Sequence, residues 1–193
     1  MKRISVFCGS SFGTDAVFEQ QAWLLGKTLA QKNIGLVYGG ARVGLMGAIA
    51  NGALENQGEV IGIIPRFLQE KEIAHTHLTE LILVNTMHER KTKMESLSDG
   101  VITLPGGFGT MEEFFEMLTW AQLGLHGKPI GILNTNGFYN DLITMMQTMV
   151  TKGFLKPVNQ QMVLVSEDIE TLLEKMRNYQ PPATGKWITK DKV

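Results

Sequence analysis

Short apolar runs rich in β-branched residues alternate with helix-period segments along this chain, and that alternation leaves few folds open. Strand-like runs occupy residues 4–8, 34–38, 60–64, 81–84, 100–104, 128–133 and 163–165. Helical spacing of apolar side chains marks residues 15–31, 44–57, 138–152 and 169–177, and a charged segment fills residues 87–98. Strands apolar on both faces and separated by helices predict a parallel sheet covered on two sides. The expected fold is therefore α/β: a Rossmann-like, doubly wound parallel sheet of about seven strands. At 193 residues the chain is most simply one domain. That domain is expected over residues 1–178, with an irregular tail at 179–193 that contains Pro181, Pro182 and Gly185. Residues 66–79 stand apart as a loop or short helix across the top of the sheet.

Composition excludes several classes of function. A net charge of −1 offers no attraction to nucleic acid or an anionic membrane. The single cysteine, Cys8, rules out an intrachain disulfide framework and favours a reducing, cytoplasmic setting. No apolar window approaches the ~18 residues of a membrane span, and the N-terminal apolar stretch is too short for a signal peptide.

In doubly wound sheets ligands gather at the carboxyl ends of the strands. Three glycine turns are expected there: Gly9 with Ser10 and Ser11, Gly39 and Gly40 with Gly44 and Gly47, and the segment running from Gly106 to Thr110. None matches G-x-G-x-x-G or the P-loop, so a mononucleotide or sugar phosphate fits better than a dinucleotide. The third turn is the most informative. Gly106, Gly107, Phe108 and Gly109 join a buried strand to a helix, which presents bare N–H groups at the positive end of the helix dipole. Glu112, Glu113 and Glu116 follow within two turns, placing acids beside a phosphate cradle.

Thr110 and Glu113 carry two readings. Thr-x-x-Glu at a helix start is a capping box, whereas the glycines before it leave more room than a cap needs. Glu112, Glu116 and Thr119 share one stripe of the helix, and Glu113 is turned about 100° away, so the acids divide their work. The same helix is apolar well past half its circumference, through Met111, Phe114, Phe115, Met117, Leu118 and Trp120. It lies either deep in a monomer or against a second subunit, and a homodimer is the favoured expectation. Arg90, after the fourth strand, is either part of a solvated helix face or a fork for an anion or carboxylate. His75, His77, His88 and His126 share no metal-ligand spacing with cysteine or acids, so no metal is expected. Cys8 is read as a buried small residue, and the 11 methionines as core filler.

Pro105 to Glu113 also match a family signature, P-G-G-x-G-T-x-x-E, so the chain resembles the "Lonely guy" cytokinin riboside 5′-monophosphate phosphoribohydrolases, once labelled lysine decarboxylases. Supporting matches, in family order, are Phe7-Cys8-Gly9-Ser10-Ser11, Tyr38-Gly39-Gly40, Val43-Gly44-Leu45-Met46-Gly47 and Met87-His88-Glu89-Arg90-Lys91. Ala41 and Arg42 depart from the small residues many members carry there. The resemblance implies a Rossmann-like homodimer, with its site near the interface, that hydrolyses the N-glycosidic bond of an adenine-type nucleoside 5′-monophosphate without a cofactor. It implies Arg90 and Glu113 as the catalytic pair. It implies substrate contacts at Glu72, Met87, Lys91, Gly106, Gly107, Phe108, Gly109, Thr110, Met111, Glu112, Glu116 and Thr119. Two alternatives stay open: a non-catalytic nucleotide-binding module, and a pyridoxal-phosphate decarboxylase drawing on Lys91 or Lys93, which lie in a charged segment without sign of burial.

Overall fold

A computed structural model describes residues 1–69 and 74–182. Seven strands form one parallel sheet in the order β4-β3-β2-β1-β5-β6-β7. They are β1 (Arg3–Phe7), β2 (Gly35–Tyr38), β3 (Val60–Pro65), β4 (Glu80–Val84), β5 (Gly100–Thr103), β6 (Ile130–Leu133) and β7 (Val163–Ser166). The expected doubly wound sheet and its strand number are both observed. Glu72 and the tail from residue 183 onward lie outside the described residues.

Helices cover both faces of the sheet. Those after β1 and β2 are α1 (Ala16–Gln31) and α2 (Gly44–Leu54), and they share one core layer with the C-terminal α7 (Ile169–Arg177). On the other face lie α3 (Met87–Leu97), α4 (Phe108–Gln122) and α5 (Asn140–Thr151), packed through Met94, Phe114, Met117 and Met146. A short helix, α6 (Pro157–Gln160), and two 3-10 turns, Arg66–Leu68 and Thr135–Gly137, complete the described elements. The fifth helix begins later than its periodicity predicts, because the Thr135–Gly137 turn intervenes and Asn136 adopts φ 51° there.

Helices α1 and α2 are drawn together by glycine. A Cβ on Gly26 would strike the Ile49 carbonyl, and one on Gly52 the Trp23 carbonyl. Close backbone approach is what these two positions provide.

The strand order reverses direction between β1 and β5, since successive connections run leftward from β1 to β4 and rightward from β5 to β7. A crevice at that switch point is where ligands bind in such sheets. Here the loops after β1 and β5 touch: Gly9 N–H donates to the Pro105 carbonyl at 3.0 Å, and a Cβ on Gly9 would come within 3.3 Å of Gly106 Cα.

Candidate active site

The start of α4 forms one wall of the crevice. Gly107 is its N-cap, in extended conformation, and no side chain caps the helix. The first intrahelical bond runs from Met111 N–H to the Gly107 carbonyl, at 3.1 Å. The N–H groups of Gly107, Phe108, Gly109 and Thr110 therefore lack helical partners and point outward at the positive end of the dipole. A Cβ on Gly107 or Gly109 would meet nothing within 4 Å, and Phe108 is 97% exposed, so the turn stands open. Gly106 differs: a side chain there would strike Thr110 Oγ1. Its role is to let buried Thr110 close the turn from beneath.

The capping-box reading of Thr110 and Glu113 is overturned. The helix begins at Phe108, before Thr110, so Thr110 occupies its third position and Glu113 its sixth. The residues that cap this way are Thr86 and Glu89 at the start of α3. Thr86 Oγ1 accepts from Glu89 N–H at 3.0 Å, and Glu89 Oε2 accepts from Asn85 N–H at 2.7 Å. That double latch fixes the first turn of α3, from which Arg90 projects inward.

Arg90 is only 5% exposed, which excludes the solvated-face reading. Its Nη2 donates to the Gly39 carbonyl at 2.9 Å, and Met87 Sδ lies 3.9 Å from Nη1. Any side chain on Gly39 would occupy the guanidinium's place. The second glycine turn thus seats an arginine rather than facing a ligand directly; its Gly44, at φ 57°, presses on the Ser10 backbone, and Gly47 on Arg42.

Arg90 and Glu113 line one cavity of about 310 Å³, together with Cys8, Gly9 and Ser10 from the β1 loop and the residues from Gly107 to Thr110. Glu112, Met46, Leu68 and Met87 complete it. A volume of this size suits a small-molecule ligand. Burial, and secondarily the negative charge of Glu113, hold the Cys8 thiol protonated well above its ordinary range, while Arg90 pulls the other way. Both catalytic candidates are therefore within electrostatic reach of one sulfur, and Cys8 is a buried wall, not a nucleophile.

Lys91 lies beside the cavity, not within its lining. Its Nζ bridges Glu112 Oε1 at 2.5 Å and Glu116 Oε2 at 2.9 Å, with the lysine side chain only 12% exposed. Burial lowers the ammonium pKa, but the two carboxylates outweigh it, and Lys91 is held protonated above its ordinary range. The expectation that Lys91 shows no sign of burial is corrected, and the correction weakens the decarboxylase alternative further. A Schiff-base lysine needs a free amine, and this one is clamped as a cation.

The remaining candidates divide. Met111 packs against the core beneath α4, and Gly106 borders a neighbouring hollow of about 280 Å³ with Phe12 and Phe138. Thr119 is exposed about three turns along the helix, its Oγ1 donating to the Phe115 carbonyl at 2.7 Å, and lies outside the cavity lining of its own chain. His75 is buried in structural work: its Nε2 pairs with Asn51 Oδ1 at 3.1 Å and its Nδ1 accepts from His77 N–H at 3.2 Å. Burial, with electrostatic contributions from His77 and Arg42, lowers its pKa. Among the described residues no group of three histidine, cysteine or acidic side chains is placed to hold a metal ion. Sequence reasoning missed Met46 and Leu68 as cavity residues, because an apolar side chain on a helix or short turn gives no signal that separates a ligand wall from core.

Residues 46–176 match the family model described as "Possible lysine decarboxylase". The chain is 46% identical over 178 residues to a cytokinin riboside 5′-monophosphate phosphoribohydrolase of Rhodococcoides fascians, covering 92% of this chain and 90% of the relative. It is 42% identical over 197 residues to a protein of the same name in Arabidopsis thaliana, covering 100% of this chain and 86% of the relative. Among solved structures, the molybdenum cofactor carrier protein of Chlamydomonas reinhardtii superposes with a TM-score of 0.69 at 20% identity, covering 91% of this chain and 95% of that one; it shares the fold. With the signature turn at the switch point and relatives this similar along nearly the whole chain, this protein belongs to the "Lonely guy" family of cytokinin riboside 5′-monophosphate phosphoribohydrolases.

Proposed function

We propose that this chain hydrolyses the N-glycosidic bond of adenine-type nucleoside 5′-monophosphates, yielding free base and ribose 5-phosphate. The observation that carries the proposal is the open, uncapped start of α4 sharing one cavity with buried Arg90 and with Glu113. The names of the relatives support the same reaction.

The chemistry follows from the residue types. Breaking the bond between ribose and base builds positive charge on the sugar ring, as in other glycoside hydrolyses. Water supplies the oxygen that joins the anomeric carbon, and its proton balances the departing base. Glu113 stabilises the cation or takes the water's proton, and Arg90 orients Glu113 or the nucleotide. Arginine is no proton donor. The free N–H groups at the start of α4 hold the 5′-phosphate, so that remote binding energy acts at the reacting carbon.

Incubation with AMP and with N6-isopentenyladenosine 5′-monophosphate, followed by assay of free base and ribose 5-phosphate, tests this directly. A nucleoside without its phosphate is expected to turn over poorly. Binding without release of base would instead leave a nucleotide-binding module.

The proposal includes a homodimer with the site near its interface. Phe115 is 37% exposed, and Leu118 and Trp120 are half-buried, so a single chain leaves the over-apolar face of α4 partly uncovered. Exposed Thr119, remote from its own cavity, suits a contact made to the partner's substrate. Light scattering giving the mass of one chain would defeat this. The single cysteine, which leaves no intrachain disulfide framework, suits a reducing, cytoplasmic setting. Among the described residues no helix is long and apolar enough to cross a membrane.

A further inference from the structure

A second hollow, of about 280 Å³, adjoins the cavity of Arg90 and Glu113 at the switch point and differs from it in charge. Gly9, Ser10 and Gly107 line both, so two glycines and a serine form a common wall. Arg90, Glu112 and Glu113 line the cavity, whereas among the described residues none that lines the hollow carries a charge. Its sides are aromatic: Phe12 in the loop after β1, Phe18 on α1, and Phe138 just past the turn that follows β6. Phe12 and Phe138 remain 45% and 46% exposed. Apolar rings left open together, rather than scattered singly, mark a binding site.

Specific contacts hold this hollow in shape. Gly13, at φ 78°, makes room for the Phe18 ring, since a Cβ there would come within 2.9 Å of it. Asn136 Nδ2 donates to Asp15 Oδ2 at 3.0 Å, and Asp15 Oδ1 accepts from Val17 N–H at 3.1 Å. The start of α1 is thereby tied to the turn after β6. Phe18 and Phe138 meet edge to face at 5.8 Å, and Phe138 stands against Tyr139 at 4.8 Å. The Tyr139 hydroxyl in turn donates to the Leu104 carbonyl at 2.6 Å. Rings braced in this way keep their places without a ligand, which lowers the cost of binding one.

Building on the nucleotide-hydrolase reading, we propose that this hollow binds the freed purine base at a site separate from the nucleotide's, so that the base inhibits without displacing substrate. A purine parted from its ribose phosphate is flat and uncharged at neutral pH. It no longer carries the anion that anchored it beside charged groups, and a charge-free aromatic hollow opens on the same glycine wall. Aromatic side chains take a base through its π face, whatever its substituents. The exposed hydroxyls of Ser10 and Ser11 supply donors and acceptors for ring nitrogens. A whole nucleotide would find no cation there for its phosphate. The volume falls just below the usual range for drug-sized ligands, as a bare base requires.

The test is a calorimetric titration of adenine into the protein saturated with carbocyclic AMP. That analogue lacks the ring oxygen that would share the developing cation, so it stays intact in the substrate cavity. Adenine is expected to bind once per chain, with affinity lowered about tenfold in Phe138→Ala and in Phe12→Ser. Both rings are nearly half exposed, so both variants should fold, and kcat/KM for AMP should stay close to the native value. In rate assays adenine should lower kcat without raising KM, and less so in the two variants. Adenine binding that vanishes once carbocyclic AMP is present, purely competitive inhibition, or equal affinity in the native protein and both variants overturns the proposal. A protein that binds adenine beside carbocyclic AMP yet releases none from AMP defeats hydrolysis and keeps the hollow. One that hydrolyses AMP while carbocyclic AMP excludes adenine keeps hydrolysis and defeats the hollow.

Discussion

Two Thr-x-x-Glu segments stand at the same sheet edge and do opposite things. Thr86 and Glu89 close the first turn of α3 on itself, satisfying two backbone N–H groups with side-chain oxygens. Thr110 and Glu113 sit inside α4, whose own first N–H groups no side chain satisfies. The difference lies just upstream. Asn85 and Thr86 come directly after β4, and extended Thr86 is the N-cap, whereas Gly107 takes that place in α4 and lets the helix begin before Thr110 is reached. An uncapped helix start at a switch point leaves its donors to a ligand.

The strongest way to break this contrast is Glu113→Ala. Turnover is expected to fall by at least about 100-fold, the scale of a lost catalytic acid or base, with little change in melting temperature. Near-normal turnover with a lower melting temperature would return Glu113 to a structural role. Glycine offers a second test of open against closed. Gly52→Ala drives a methyl into the Trp23 carbonyl and should cost about 1–3 kcal/mol of stability. Gly109→Ala meets only open space and should gain up to ~1 kcal/mol of helix stability, while weakening nucleotide binding. Paired denaturation and binding curves separate the two.

Thr86→Ala comes next in size, at about 1 kcal/mol of stability from the lost cap, with kcat/KM per folded molecule nearly unchanged. The smallest effect belongs to Lys91, which ties α3 to α4 through Glu112 and Glu116. Its pKa is raised on folding, so its contribution is complete below the ordinary lysine value of about 10.4 and is lost as pH rises through the higher folded value. Since Glu112 is largely exposed, roughly 0.2–1 kcal/mol is at stake. Melting curves of the native protein and Lys91→Met should differ at pH 9 and converge at strongly alkaline pH.

The strands and most helices were legible because both-face burial writes itself as continuous apolar runs, as at Val60–Pro65 and Ile130–Leu133. The glycine turn after β5 was legible because Gly106, Gly107 and Gly109 are more glycine than a helix start needs. What stayed hidden followed from distance in sequence. Gly39 gives no sign that it makes room for Arg90, 51 residues on. Lys91 looked solvated because its two carboxylates lie on the next helix.

By itself the sequence determined the parallel sheet, its strand number and the glycine turn after β5, since periodicity and backbone freedom are local properties. Only the tertiary structure decided which Thr-x-x-Glu caps a helix, which glycines pack and which lie open, and that Met46, Leu68 and Met87 line one cavity with Arg90. Those outcomes depend on which loops meet where the strand order reverses, and no single segment carries that information.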